Sequence, residues 1–520
     1  MTKEEYISKV QGCWLGKNIG GTLGMPMEWE RKKNSVTYYT HDITGEPLPN
    51  DDLDIQILWL IALEDNGIRI DSKILGAYFN EFMIFTHGEY GTAKANLRAG
   101  LMPPISGSFN NSFKDSCGSY IRADLWACIF PGNPEMAAKY AFEDAIVDHG
   151  NGEGVYAEVF FAAMESTAFV IKDIRSLIKI GLSYIPNDCD LYRCIEDAIS
   201  TYDEGMSMDE TREYIMQNYI GHLEWHAISD EDKEKGYNEG KMGWDVPSNI
   251  MIIIYGLLFG ENDYEKSMCL AVNYGEDTDC TAGTIAALFG IIGGKEIFAP
   301  KWTEPIGNRI VTISIDPFRM SGRIPATLEE MTERVVRIHD NSIKELELSN
   351  VCSECTCNHS VEEFLAKDYF MNIYDEMNVV RFFFGNLNVR LSYEGAPVII
   401  ANENKTIKFI LSNTSRAVTS DRLSIYLYSR DGCEVLPQGE QSVFLTMAHM
   451  GEGIKEISYE IAAQTPLRPI YHFVAEFIYE DSKNNTPMLV PFVLLTESGK
   501  TLPVKWENNG PKWTPNMPRI

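Results

Sequence analysis

Asn273-Tyr-Gly-Glu-Asp-Thr-Asp-Cys-Thr-Ala-Gly-Thr-Ile-Ala-Ala-Leu-Phe-Gly290 joins an acidic turn to a helix of unusual composition. Gly275 and three carboxylates, Glu276, Asp277 and Asp279, come first. A run then follows in which Ala282, Gly283, Ala286, Ala287, Gly290 and Gly294 recur at helical spacing. Acidic residues at a helix start cap free amides and complement the macrodipole, so capping alone would explain one or two of them. Small residues at three- and four-residue intervals allow another helix backbone to approach closely. A second segment, Tyr6–Gly24, has the same character, with Gly16, Gly20, Gly21 and Gly24.

Outward from these segments, apolar residues keep a helical period through Asp54–Glu64, Ser72–Phe85, Met136–Val147, Val155–Ile180 and Tyr264–Tyr274. Gly and Pro fall between them. The first ~345 residues therefore predict a mainly α domain, taken as 1–348. Ile250–Phe259 is the most apolar run, too short for a bilayer, and reads as a buried helix. After a linker at 349–374 the pattern changes. Thr406–Leu411, Arg422–Tyr428, Ser442–Met447, His472–Tyr479 and Met488–Leu495 are short β-rich runs parted by turn signals such as Asp431-Gly432. They predict an all-β, immunoglobulin-like sandwich over 375–520. Its tyrosines Tyr426, Tyr428, Tyr471 and Tyr479 sit at strand spacing and are expected in its core.

Two domains suit 520 residues. The formal net charge of −30 argues against nucleic acid or an anionic membrane as partner, since both require clustered Lys and Arg. The polar N-terminus and the odd set of eleven cysteines point to a reduced, cytoplasmic setting. Cys352, Cys355, Cys357 and His359 could clasp zinc or form an incidental linker. Nothing in the sequence indicates the oligomeric state.

The acidic turn has a counterpart in Pro49-Asn50-Asp51-Asp52-Leu53-Asp54-Ile55-Gln56, which also opens an apolar helix. Hard dications need several oxygen ligands, and closely spaced aspartates supply them on short side chains. Concentrated carboxylates are electrostatically costly without a cation, so two such clusters point to metal binding.

These segments resemble the paired metal motifs of the ADP-ribosylglycohydrolases. The family form Thr-Asp-Asp-Thr-Gln is matched by Asn50-Asp51-Asp52-Leu53-Asp54, with Gln56 two positions late. Gly-Gly-Asp-Thr-Asp-Thr is matched by Gly275-Glu276-Asp277-Thr278-Asp279-Cys280. Upstream, Gly20-Gly21-Thr22-Leu23-Gly24-Met25-Pro26-Met27-Glu28 follows Gly-Asp-Ala-Leu-Gly-x-Pro-x-Glu. Gly118-Ser119-Tyr120-Ile121-Arg122 and His149 are fainter echoes. The resemblance covers about residues 8–345. It implies two magnesium ions, with manganese as a substitute, held by Asn50, Asp51, Asp52, Asp277 and Asp279. It also implies Glu28 and Asp52 as catalytic carboxylates and Arg122, His149 and Glu276 as substrate contacts. Asn50 and Cys280 stand where the family has threonines. An amide oxygen is a hard ligand, whereas a thiol prefers softer metals.

The resemblance further implies hydrolysis of a ribosyl N- or O-glycosidic bond, with an ADP-ribosyl or other small-molecule substrate. Two alternatives remain open: a different small nucleoside or glycoside as substrate, or a catalytically silent metal- or sugar-nucleotide-binding protein.

Overall fold

The computed structural model describes residues 1–28, 31–86, 88–219, 243–348, 359–413, 421–446, 453–464, 468–480 and 486–496. They form two compact units, one ending at Val380 and the other running from Arg381.

The first unit is helical. Its described α-helices are α1 (Lys3–Gly24), α2 (Asp51–Asn66), α3 (Ser72–Phe82), α4 (Gly88–Arg98), α5 (Ile105–Ser108), α6 (Ala123–Ile129), α7 (Pro134–Ala145), α8 (Glu153–Ala168), α9 (Ile174–Ser183), α10 (Asp190–Asp203), α11 (Met208–Asn218), α12 (Val246–Gly260), α13 (Tyr264–Tyr274), α14 (Thr278–Gly293), α15 (Pro300–Thr303) and α16 (Leu328–Glu345). Local chemistry sets many of their starts. A capping box of Thr2 and Glu5 opens α1, Asn50 caps α2, and Asn133 with Pro134 opens α7. The periodic stretch expected as one helix over Val155–Ile180 is two. Helix α8 ends at Ala168, and Asp173 restarts the chain as the cap of α9, accepting from the Ser176 amide. Helix α12 is buried along nearly its whole circumference, as its composition predicts, and among the described residues no helix is long and apolar enough to cross a membrane.

Helices α1 and α14 make the closest contact in this unit. Gly12, Gly16, Gly20 and Gly24 on α1 face Gly290, Ala286, Ala282 and Thr278 on α14, in antiparallel order. A Cβ built on any of the four glycines would collide with a backbone carbonyl of the facing residue. The two backbones therefore touch directly at four successive contacts, over a little more than three turns. At the end of the seam the Thr278 hydroxyl donates to the Gly24 carbonyl at 2.9 Å, tying the last turn of α1 to the first turn of α14.

From His359 onward the segment expected as linker packs on the helices. Short 3-10 turns at Val361–Glu363 and Asp368–Asn378 bury Phe370 and Met377, and Tyr374 donates to the Tyr184 carbonyl at 2.7 Å.

The second unit has nine described strands. They are β1 (Val379–Phe384), β2 (Leu387–Ser392), β3 (Asn404–Asn413), β4 (Asp421–Ser429), β5 (Glu434–Leu436), β6 (Gln441–Leu445), β7 (Ile454–Ala462), β8 (Ile470–Tyr479) and β9 (Met488–Leu495). They build two sheets, β1-β2-β3-β7-β5 and β6-β4-β8-β9, with the registered pairs antiparallel. Phe409 of the first sheet meets Phe477 and Phe492 of the second at ring distances of 5.6 and 6.1 Å, so the sheets share one core. Tyr471 is buried there, but Tyr428 lies outward with Tyr426 stacked beside it, their hydroxyls donating to Glu476 and Glu440. Period-two alternation places neighbouring tyrosines of one strand face on the same side, so Tyr426 and Tyr428 share the solvent face while Leu423 and Ile425 point inward.

The seam yields a direct test. Gly20→Ala should destabilise the helical unit by at least ~1–3 kcal/mol, because backbone offers the new methyl no flexible neighbour to displace. Urea unfolding followed by helical circular dichroism measures this. An unchanged midpoint would show that the helices are not in backbone contact.

Candidate metal centre and active site

The seam determines which side chains meet at its end. Helix α1 terminates in the short 3-10 turn Met25–Met27 and delivers Glu28. Helix α14 begins at Thr278, flanked by Asp277 and Asp279. Just before it, Gly275 and Glu276 adopt left-handed φ values of 88° and 67°, which reverse the chain into the helix. The start of α2 enters from a third direction. Glu28, Asp277 and Asp279 form one cluster of potential ligand atoms and Asp52, Asp279 and Cys280 another, the atoms of each lying within 4.8 Å of one another. Asp279 belongs to both. Asp51 lies outside both clusters and accepts from the Tyr90 hydroxyl at 3.2 Å.

Burial makes this concentration of charge severe. Asp52, Asp277 and Asp279 are 1%, 3% and 2% exposed, and Asp52 Oδ2, Asp277 Oδ1 and Asp279 Oδ1 are buried with no hydrogen-bond donor. Burial, then the charges of Asp279, Asp277, Asp51 and Asp52, raises the Glu28 carboxyl well above its ordinary range. Burial and neighbouring carboxylates do the same to Asp52 and Asp277, and Asp279 is pushed up to about 6. A buried acceptor without a donor is a costly arrangement in a native fold. A divalent cation, bound by unprotonated oxygen ligands, removes both the orphaned acceptors and the mutual repulsion. The residues thus fit a metal centre.

Other site residues have more specific structural employment. Asn50 is the N-cap of α2. Its Oδ1 accepts from the Asp52 amide at 2.8 Å, and its Nδ2 donates to Asp279 at 3.2 Å. The amide oxygen expected as a metal ligand thus also caps the helix start, and the amide nitrogen steadies Asp279. Asp54 faces away from the clusters and accepts from Ile313 N (2.7 Å) and the Ser314 hydroxyl (2.9 Å). Gln56 donates to Asp124 at 2.9 Å and to the Ile121 carbonyl at 3.1 Å, anchoring α2 from behind.

Glu276, expected to touch substrate, is fully buried and paired with Arg31 Nε at 2.8 Å, and Arg31 also approaches Asp245 at 3.5 Å. Its carboxylate fastens the chain just after Glu28 to the turn that carries Asp277. Arg122 is likewise fully buried. It makes a two-pronged bond to Asp148 (2.9 and 2.6 Å), pairs with Asp144 at 2.8 Å, and lies 3.6 Å from Glu158. His149 bridges Asp148 (2.9 Å) and the Ser116 hydroxyl (3.3 Å), again without exposure. Arg122, His149 and Glu276 are thus fully buried and each engaged with neighbouring side chains.

Among the buried charged residues that the sequence does not single out, two lie beside the carboxylate clusters or their supports. Lys17, on α1, pairs with Asp124 at 2.9 Å and donates to the Ile121 carbonyl at 3.0 Å. Burial alone would lower its pKa, but Asp124, Asp52 and Glu165 hold its ammonium charged well above the ordinary range. Glu89 is raised to about 7 by burial, with His149, Asp148 and Asp51 in electrostatic reach. Gly118 leaves it room, since a Cβ there would overlap the Glu89 carboxylate. Lys17 has a helical-spacing signal, as it sits among residues that must be buried if the glycine face is. Glu89 has none beyond its place in a short, Gly-flanked helix.

The ADP-ribosylglycohydrolase family model matches residues 2–341 of this chain. The chain belongs to the ADP-ribosylglycohydrolase family. It is accordingly a hydrolase acting on glycosidic bonds. It is similar to an uncharacterised protein of Archaeoglobus fulgidus, 24% identical over 315 residues, which spans 58% of this chain and 92% of that one. It is also similar to a solved structure described as an ADP-ribosylglycohydrolase-related protein complex. That match has 18% identity and a TM-score of 0.41 and covers 65% of this chain and 99% of the other. Cys352, Cys355 and Cys357 lie outside the described residues; His359 is described, and its ring meets Glu363 at 3.2 Å.

Two measurements test this account. Site carboxyls with raised pKa bind more protons in the folded than in the unfolded protein, so the metal-free fold gains stability from them as pH falls, while cation binding requires their ionised forms. The rise in Tm caused by magnesium should therefore shrink as pH drops through about 6. A rise independent of pH between 8 and 5 would show that these carboxyls do not hold the ion. Arg122→Met should leave Asp148, Asp144 and Glu158 uncompensated and cost on the order of 3–5 kcal/mol of stability, with or without magnesium. A variant of native stability with only a raised KM would return Arg122 to substrate binding.

Proposed function

We propose that this chain is a divalent-cation-dependent glycohydrolase that cleaves a ribosyl N- or O-glycosidic bond, with an ADP-ribosyl group as the first substrate to test. Two ions, magnesium or manganese, are assigned to the clusters that share Asp279. The convergence of four carboxylates carries this reading, with three buried oxygens among them lacking any donor. Bound there, the cations supply Lewis acidity and a template for the vicinal hydroxyls of a ribose and for a water.

The chain's own residues do the rest. Asp52, Asp277 and Asp279 hold the charge that fixes the template, and Asn50 and the Asn249 amide oxygen hold the two motifs in place. Asn50 donates to Asp279, and Asn249 accepts from the Asp277 amide at 3.1 Å. Glu28 is the one clustered carboxylate that retains solvent exposure, so it is positioned to reach a substrate. As the leaving group departs, positive charge develops on the sugar ring, and a carboxylate at Glu28 stabilises it or takes a proton from the attacking water. The acidic surroundings favour that cationic transition state over the neutral ground state. A silent binding protein would need the same cations but no exposed carboxylate beside them, and retention of Glu28 favours catalysis.

Asp277→Asn should abolish both turnover and the magnesium-dependent rise in Tm. Glu28→Gln should keep that rise and lose ~10²–10⁴-fold in kcat, the range for a general acid–base group. The assay is release of ribosyl product from ADP-ribosyl and nucleoside substrates, read by chromatography. Full activity of Glu28→Gln would remove this residue from the chemistry. Absence of any product across both substrate classes, with magnesium bound, would favour the binding protein.

A further inference from the structure

We propose that the two cation positions differ in kind. On this proposal Cys280 supplies a thiolate ligand that makes the Asp52–Asp279 position selective for a thiophilic first-row dication such as zinc or cobalt(II), while the Glu28–Asp277 position takes magnesium or manganese. The inference rests on the two-cation reading above and specifies what each position binds.

Three observations carry it. First, the clusters have different donor sets. Glu28, Asp277 and Asp279 offer oxygen alone, whereas Cys280 brings its sulfur within 3.4 Å of Asp52 Oδ1 and into the same 4.8 Å sphere as Asp279. Among the described cysteines, no other belongs to such a group. Second, the sulfur is not alone there. Asp52 Oδ2 and Asp279 Oδ1 are buried, have no hydrogen-bond donor and belong to residues 1% and 2% exposed, so two oxygens beside the sulfur are free to ligate. Third, Lys17 places a fixed positive charge beside Asp52. Its ammonium pairs with Asp124 but lies within electrostatic reach of Asp52, and a Cβ on Gly283 would lie 3.3 Å from both Asp52 Oδ2 and Lys17 Cδ.

Magnesium binding is almost wholly electrostatic and prefers oxygen ligands in octahedral order. A neighbouring ammonium weakens that attraction. A thiolate bond has covalent character, which softer dications exploit and magnesium does not. At this position the balance thus favours the softer ion. The step is a simple exchange in which the Cys280 S–H bond breaks, its proton leaves to solvent, and the sulfur lone pair forms the metal–sulfur bond without change of oxidation state.

The test is cobalt(II) titration of the full chain, read by absorption and by bound-metal analysis. Wild type and Cys280→Ser are compared in a background with Cys352, Cys355 and Cys357 changed to Ser, so that those thiols contribute no signal. Cys280→Thr serves as a second variant, and circular dichroism confirms that each folds. The proposal expects a near-ultraviolet sulfur-to-cobalt charge-transfer band at one equivalent per chain, absent in both variants. It also expects at least tenfold weaker zinc binding in the variants and unchanged magnesium binding. Cobalt bound without that band, or a band that persists in Cys280→Ser, overturns the inference while leaving the two-cation reading intact. Failure of wild type to bind any dication overturns both.

Discussion

Backbone contact between α1 and α14 is the constraint on which the site depends. Two helices that meet through side chains can slide or tilt as those side chains change rotamer. Helices that meet carbonyl to Cα have no such freedom, and their register is fixed by the alternation of Gly12, Gly16, Gly20 and Gly24 against Gly290, Ala286, Ala282 and Thr278. The benefit appears at one end of the seam. Glu28 and Asp277–Asp279 are about 250 residues apart in sequence, yet each lies within a turn of the seam's last contact, where Thr278 grips Gly24. A carboxylate cluster held this way cannot relax by spreading apart, which is why its oxygens remain close despite their repulsion.

That repulsion organises what surrounds the site. Behind Asp52, the ammonium of Lys17 and the carboxylate of Asp124 form a buried pair. Behind the turn of Asp277, Arg31 joins Glu276 and Asp245. Further back, Arg122 gathers Asp144, Asp148 and Glu158. Each cation is matched or outnumbered by carboxylates, so the walls add rigidity without cancelling the negative field at the clusters. Such buried pairs contribute little net stability compared with apolar packing, and their value is in fixing orientation.

Much of the frame was legible in the sequence. Periodicity marked the helices, and β-rich runs marked five of the nine described strands. The four aspartates and Glu28 stood out as paired motifs. The omissions have physical reasons. Strands β1, β2, β5 and β7 were missed because they are short or carry polar residues such as Lys455, Glu456 and Glu460, and a half-buried strand in an antiparallel sheet tolerates these on its outer side. The break at Phe169–Asp173 was invisible to apolar spacing because α8 is buried on nearly every side and has no single apolar face whose end could be seen; only the cap at Asp173 shows it. For Arg122, His149 and Glu276, expected as substrate contacts, a motif reports proximity to a site and not the direction of a side chain. Whether a charge faces the ligand or supports the residue that does depends on partners far away in sequence, such as Asp148 for Arg122 and Arg31 for Glu276.

The buried placement of Arg122 bears on how a substrate of the proposed ADP-ribosyl kind would be received. A chain of net charge −30, with its site arginines already paired, does not attract phosphate by clustered side-chain cations. Two other sources of positive potential remain. The helices α2 and α14 both direct their N-termini to the aspartates, and free amides at a helix start favour anions. Bound dications would supply the larger share, because each would carry two charges to a cluster of buried carboxylates. Recognition of a ribosyl group would then be coupled to metal occupancy: the ions that organise the sugar for cleavage are also what makes the acidic cleft tolerable to a phosphate-bearing ligand. This accounts for a fold that invests its buried arginines and lysine in rigidity. On the proposed reading the attraction falls to the cations, and the protein's task is to hold the carboxylates that would hold them.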